Sequence, residues 1–218
     1  NDHQFEFDDQ FDYDKFYLYS IITHSTAIEG STVTEIENQL LFDEGISSNK
    51  PITEQLMNLD LKNAYEQSFK YAKNHEKITI DLLCNLSAIL MKNTGSVYNT
   101  MAGSFSSAKG ELRLLNVSAG RGGKTYLTWQ KIPEKLQSFC DWLNTEREKI
   151  DSRNDLPKIY ELSFEAHYRL VSIHPWADGN GRMSRLLMNM LQYEFGVISS
   201  IVKKENRLEY IQSLAQSQ

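Results

Sequence analysis

Apolar residues recur at helical intervals along most of the chain. Phe16, Tyr19 and Ile22 open such a pattern from about Asp14, and it runs to Ile28 before Gly30 stops it as a helix C-terminal glycine would. Thr34 stands three residues before Glu37, the spacing of a capping box, and predicts a second, short helix through Leu40 and Leu41. Further helical patterns cover 53–74, 79–93, 132–149, 157–173, 181–195 and 205–215. In the 181–195 segment Met183, Leu186, Leu187, Met190 and Leu191 fall at i, i+3, i+4, i+7 and i+8 and mark one apolar stripe. Strand-like residues are confined to 111–128, where "LRLLNVS" and "KTYLTW" flank the turn signal "AGRGG". Residues 1–12 alternate acids with aromatics. The pattern predicts a mainly α fold with one β-hairpin.

Composition narrows this picture. At 218 residues with 40% hydrophobic and 24% charged content, the chain can bury one sizeable core. No repeat or proline-rich linker divides it, so one globular unit is expected. The formal charge of −6 argues against a sequence-independent nucleic-acid grip, which needs a basic face. Cys84 and Cys140 lie far apart inside helical patterns without ligand-like neighbours, and are expected as buried thiols in a reducing, cytoplasmic setting. No apolar run reaches transmembrane length, so no membrane partner is expected. The chain begins with Asn1 rather than Met, which leaves a removed leader open.

Two local patterns imitate other chemistries. "SAGRGGKT" looks like a phosphate-binding loop, but that motif needs a glycine where Ser118 stands, and strand-like residues follow where a helix should begin. A hairpin turn fits better. His167 precedes His174 by two helical turns and could be taken as a second metal ligand; without a third ligand nearby, a hydrogen-bonded helix histidine is the expectation.

The densest chemistry lies in "HPWADGNGRMSR", residues 174–185, between an apolar helix ending near Ile173 and another beginning about Gly181. A loop that feeds a helix N-terminus offers unpaired N–H groups and the positive end of the helix dipole, both attractive to phosphate. Gly179 and Gly181 let the backbone approach an anion closely, with Asn180 between them. Arg182 and Arg185, three apart, can grip further phosphate oxygens. Asp178 would repel phosphates unless a hard divalent cation bridges them, and Mg²⁺ is the natural one. His174 is the group there able to take a proton near neutral pH. Together these residues describe transfer at a phosphoryl group, without choosing between the α- and γ-phosphorus.

The same stretch resembles the signature of the Fic domain family, His-Pro-Phe-x-Asp/Glu-Gly-Asn-Gly-Arg-x-x-Arg, with Trp176 in place of the usual Phe. "GELRLLNVSAG" falls where that family has its target-docking flap, and "NRLEYIQSL" resembles the helix that follows the motif, so the resemblance spans roughly 14–215. It implies a Fic-type helical domain over 51–218, preceded by an N-terminal segment over 1–50. The implied activity is a protein adenylyltransferase moving AMP from ATP to a Ser, Thr or Tyr hydroxyl of a target protein, which could be the chain itself; a homodimer is allowed. By position, His174 would be the base and Asp178 the Mg²⁺ ligand. Gly179, Asn180 and Gly181 would form the anion cradle, Arg182 would hold the γ-phosphate and Arg185 the β-phosphate side. A kinase-like relative usually has a basic residue in place of Gly181. Two alternatives stay open: removal of AMP from a modified protein, and nucleotide binding without transfer.

Two quieter stretches complete the expectations. The flap-like hairpin, at Leu115, Asn116 and Val117, could hold a target segment as an added strand. "STAIEG", residues 25–30, puts Ser25 and Glu29 on one helical face, with a glutamate where the helix dipole disfavours it. It resembles the Ser/Thr-x-x-x-Glu-Gly/Asn inhibitory motif of the Fic subclass that carries its inhibitory helix N-terminally, here about 14–29. That resemblance implies a Glu29–Arg182 pair that keeps ATP in an unreactive pose.

Overall fold

The computed structural model describes residues 13–119, 125–150 and 155–216. The eight helical patterns become eight helices: α1 Tyr13–Ile28, α2 Glu35–Glu44, α3 Ile52–Lys73, α4 Ile80–Leu90, α5 Ile132–Arg147, α6 Leu156–Ile173, α7 Asn180–Glu194 and α8 Arg207–Gln216. Their ends follow from local chemistry. The Thr34–Glu37 capping box forms in both directions, and Gly45 closes α2 at φ 70°. The Thr79 hydroxyl caps α4, and α5 and α6 each carry a proline in the first turn, where its missing N–H costs nothing.

Helix α7 lies at the centre, packed on α6 and α3. Its apolar stripe is buried as expected, but Ser184, Arg185, Asn189 and Gln192 on the remaining face are buried too. Three of these are bonded, Asn189 accepting from the Tyr65 hydroxyl at 2.7 Å, Gln192 donating to Ser163 Oγ at 2.9 Å and Arg185 donating to Ser25 Oγ at 2.8 Å, whereas the Ser184 hydroxyl has no partner among the described residues. Ile21 and Ile22 of α1 join the same core as Leu61, Leu86, Leu136 and Leu187. Between α1, α2 and α3 a polar cluster adds to the apolar contact, with Asn58 Oδ1 accepting from Thr26 Oγ1 and Asn38 Nδ2. Cys140 is buried and Cys84 half-buried, and both are free thiols. No helix among the described residues is long and apolar enough to cross a membrane.

The hairpin is not where the sequence pattern places it. The two-stranded sheet pairs β1, Val97–Thr100, with β2, Gly103–Ser106, and Tyr98 stacks on Phe105 at 4.9 Å. These strands are four residues long and rich in Asn, Thr, Gly and Ser, so they show no alternation to read. Within 111–128 the described residues pair through a Ser118–Thr125 bridge and a Tyr126 N–H to Val117 carbonyl bond at 3.1 Å, and form no named strand. Its carbonyls are diverted instead: Leu115 and Leu127 both accept from the buried Arg113 guanidinium. The tip of the turn at 120–124 lies outside the described residues, as do 1–12.

Candidate active site

The loop 174–179 is folded by its own side chains. His174 ends α6 in the left-handed conformation, φ 54° and ψ 59°, a position more often taken by glycine. Trp176, fully buried, donates its indole N–H to the Gly110 carbonyl at 3.1 Å and anchors the loop in the core. The Asn180 amide clips the loop shut, accepting from Trp176 N–H at 3.1 Å and donating to the Trp176 carbonyl at 2.9 Å. That side chain is thus engaged internally, and what Asn180 offers an anion is its backbone N–H in the first turn of α7.

Gly179 enters α7 at φ 80°, and a Cβ there would lie 2.9 Å from Met91 Sδ. Both facts call for glycine. Arg182, only 4% exposed, lays its guanidinium against Met91, with Nη2 3.4 Å from the sulfur and 3.7 Å from Asp178 Oδ2. Its Nε and Nη1 are buried without a partner. A buried cation with two unmade hydrogen bonds is costly, and an anion at this helix end would offset that cost. Asp178 is 61% exposed; its Oδ1 accepts from Gly179 N–H at 2.6 Å. Among the described residues no three His, Cys, Asp or Glu side chains form a metal cage. One solvent-exposed carboxylate, whose Oδ2 makes only a long 3.7 Å ion pair with Arg182, fits Mg²⁺, which takes its remaining ligands from phosphate and water.

Glu29 does not meet Arg182. Its Oε1 accepts from Arg185 Nη2 at 2.6 Å. Arg185 also donates through Nε to Ser25 Oγ at 2.8 Å, through Nη2 to the Ser25 carbonyl at 3.0 Å and through Nη1 to the Tyr210 hydroxyl at 3.3 Å. Three residues along a helix turn the side chain by about 300°, so the two arginines diverge by about 60°. Arg185 therefore faces α1 and α8, whereas Arg182 faces Met91 beyond α4. The expected Glu29–Arg182 pair is replaced by a Glu29–Arg185 pair. Ser25 and Glu29 do share one face, and both address the same guanidinium. Glu29 still overlies the cradle: a Cβ on Gly181 would be 2.8 Å from its Oε1. His167 is the hydrogen-bonded helix histidine expected, 2.7 Å from the Tyr210 hydroxyl, and burial lowers its pKa to about 4.

His174 Nδ1 lies 3.3 Å from the Val171 carbonyl, so that nitrogen carries the proton and Nε2 the lone pair. Burial lowers its pKa to about 4, with Arg113 adding to the effect. Tyr126 stacks on the imidazole, centroids 3.9 Å apart, and so brings the flap over the base. Of the flap residues, Asn116 is exposed, and Leu115 and Val117 are half-buried. Arg113, Tyr126, Tyr210 and Met91 were not marked by the motif. Only Arg113 carries a readable signal, as a lone charge among Leu112, Leu114 and Leu115.

A family model described as Fic/DOC matches residues 77–192. The chain is 30% identical over 202 residues to protein adenylyltransferase fic-1 of Caenorhabditis elegans, covering 91% of this chain and 36% of that protein. It is 30% identical over 194 residues to protein adenylyltransferase Fic of Drosophila willistoni, covering 87% and 34%. It thus spans about a third of the length of these relatives. A Fic domain containing signaling protein from Bacteroides thetaiotaomicron superposes with a TM-score of 0.76 at 26% identity, over 93% of this chain and 72% of that one. A fragment of C. elegans Fic-1 does so with a TM-score of 0.73 at 26% identity, over 94% and 56%.

Proposed function

The chain belongs to the Fic/DOC family, and from that premise we propose that it transfers AMP from ATP to a hydroxyl group of a protein, its own chain included. One observation carries the reading. A single tight loop joins the His174 imidazole, whose Nδ1 faces the Val171 carbonyl and whose protonation burial disfavours, to a buried Arg182 guanidinium whose Nε and Nη1 have no partner among the described residues. One end can take a proton and the other can hold an oligophosphate. The names of the two relatives, protein adenylyltransferase, point the same way.

In this reading the phosphates lie on the first turn of α7, over the backbone N–H groups of 180 and 181, with Arg182 binding the terminal phosphate and Arg185 the β-phosphate side. Asp178 would hold Mg²⁺, which neutralises phosphate charge and stabilises the pyrophosphate as it leaves. The target hydroxyl oxygen attacks the α-phosphorus, His174 Nε2 takes its proton, and the bond to the pyrophosphate oxygen breaks. The flap at Leu115, Asn116 and Val117 presents the target segment. The two free thiols support a reducing, cytoplasmic setting.

The resting state is self-inhibited. Glu29 places a carboxylate above Gly181, where phosphate would sit, and occupies Arg185. An incoming phosphate oxygen meets like charge and an engaged guanidinium. ATP labelled at the α- or the γ-phosphate tests the reaction. Retention of α-label alone on protein is expected; γ-label on protein would make the chain a kinase instead, and no label from ATP that binds would make it a binding module.

A further inference from the structure

Arg113 is 1% exposed, yet among the described residues no carboxylate pairs with it. Its guanidinium is spent on three backbone carbonyls. Nε donates to His174 at 2.7 Å, Nη1 to Leu115 at 2.6 Å, and Nη2 to Leu127. Its own N–H donates to the Pro175 carbonyl at 3.1 Å. These acceptors lie on both flanks of the flap and on the first two residues of the catalytic loop, segments that otherwise meet through Tyr126 stacked on His174.

We propose that Arg113 is a positioning residue of the active site, a buried pin that fastens the two flanks of the flap to the backbone of His174. The proposal rests on the reading of His174 as the base. Its chemistry follows from the fork. A planar guanidinium fixes three acceptors in one plane, which a lysine or methionine cannot do. Charge-assisted bonds to neutral carbonyls hold the left-handed turn at His174 against its conformational cost. The positive charge of Arg113, bonded to the His174 carbonyl, also disfavours protonation of the imidazole. Asp178 and Glu29 act in the opposite sense, as does the bond to Val171, and burial is the largest influence.

The test compares wild type with Arg113→Lys and Arg113→Met by NMR. The His174 imidazole is titrated with His167 as internal reference, because His167 is shifted by burial and Arg185 and not by Arg113. In Arg113→Met the His174 midpoint should rise by about 1 pH unit, whereas in Arg113→Lys, which keeps the charge, it should stay near wild type. The Tyr126 amide, bonded to Val117, should exchange about tenfold faster in both variants. In a Glu29→Gly background, kcat for AMP transfer should fall about tenfold in both, with KM for ATP little changed. The titration and the exchange need no transfer, so they separate failure of this proposal from failure of the adenylyltransferase reading. Unchanged Tyr126 exchange and an unchanged His174 midpoint in both variants overturn it. Wild-type Arg113 gives an answer that needs no variant: its Nε–H should be protected like a core amide, and exchange at the rate of a surface arginine overturns the proposal.

Discussion

Glu29 and Arg185 meet at 2.6 Å, whereas Arg182, one turn earlier on α7, keeps two buried nitrogens, Nε and Nη1, without a partner among the described residues. Helix α1 thus grips the second arginine of the loop motif and not the first. Tyr210 of α8 shares that grip through Arg185, and Arg207 Nε donates to the Ile28 carbonyl at 2.7 Å at the end of α1.

Replacing Glu29 removes the carboxylate above Gly181 and frees Arg185. Glu29→Gly should raise AMP incorporation by about tenfold to a hundredfold, the range of a typical coupling energy. Equal labelling of Glu29→Gly and wild type at matched ATP and Mg²⁺ would mean that the Glu29–Arg185 pair is structural only.

Asp178 stands exposed at the mouth of the cradle, with one oxygen bonded to Gly179. Asp178→Ala should weaken nucleotide binding in the presence of Mg²⁺ by about tenfold or more, and excess Mg²⁺ should restore it only in part. Calorimetric titrations of ATP with and without Mg²⁺ decide this. An unchanged Mg²⁺ dependence removes Asp178 as the ligand.

Gly179 combines φ 80° with a Met91 sulfur 2.9 Å from any Cβ. Gly179→Ala should cost about 1–3 kcal/mol, seen as a fall in Tm of about 3–10 °C, and should weaken ATP binding by distorting the first turn of α7. A wild-type Tm would show that the loop tolerates a side chain there.

How much of this was legible depended on the signal each part leaves. Helical periodicity and caps placed all eight helices, because the Thr34–Glu37 box and the α7 stripe are local and strong. Strands β1 and β2 left none, since their pairing is held by Tyr98 on Phe105 and not by an alternating pattern. The loop motif marked the candidate residues, yet which arginine Glu29 meets depends on the rotation of α7 relative to α1, which no spacing encodes. The Asn180 side-chain amide closes the loop on Trp176, a contact that the spacing of the motif does not encode. Tyr210 reaches the site from the far end of the chain, a tertiary contact invisible to local pattern.

One buried and one half-buried imidazole make stability sensitive to acid. His167 and His174 both have their pKa lowered from the ordinary 6.5 to about 4, burial being the main cause. Below about pH 6.5 the unfolded chain takes up protons that the folded chain refuses. Stability is therefore full above that pH and falls as pH drops toward 4, by up to about 3 kcal/mol for each histidine. Denaturant melts across pH 7 to 4 should show this loss, and His167→Gln should reduce it by about half. An equal slope in the variant would mean that His167 titrates normally.

The most direct measurement is the intact mass of the Glu29→Gly chain after incubation with a target lysate, ATP and Mg²⁺, beside the Glu29→Gly/His174→Ala double variant. The account predicts a protein, the chain itself or a target, heavier by one AMP with His174 present. It predicts loss of that product by at least about a hundredfold in the double variant, whose ATP affinity stays close to that of the single variant. AMP addition that persists at the same rate without His174 would contradict the base assignment. No AMP on any protein, despite bound ATP, would contradict the adenylyltransferase reading itself.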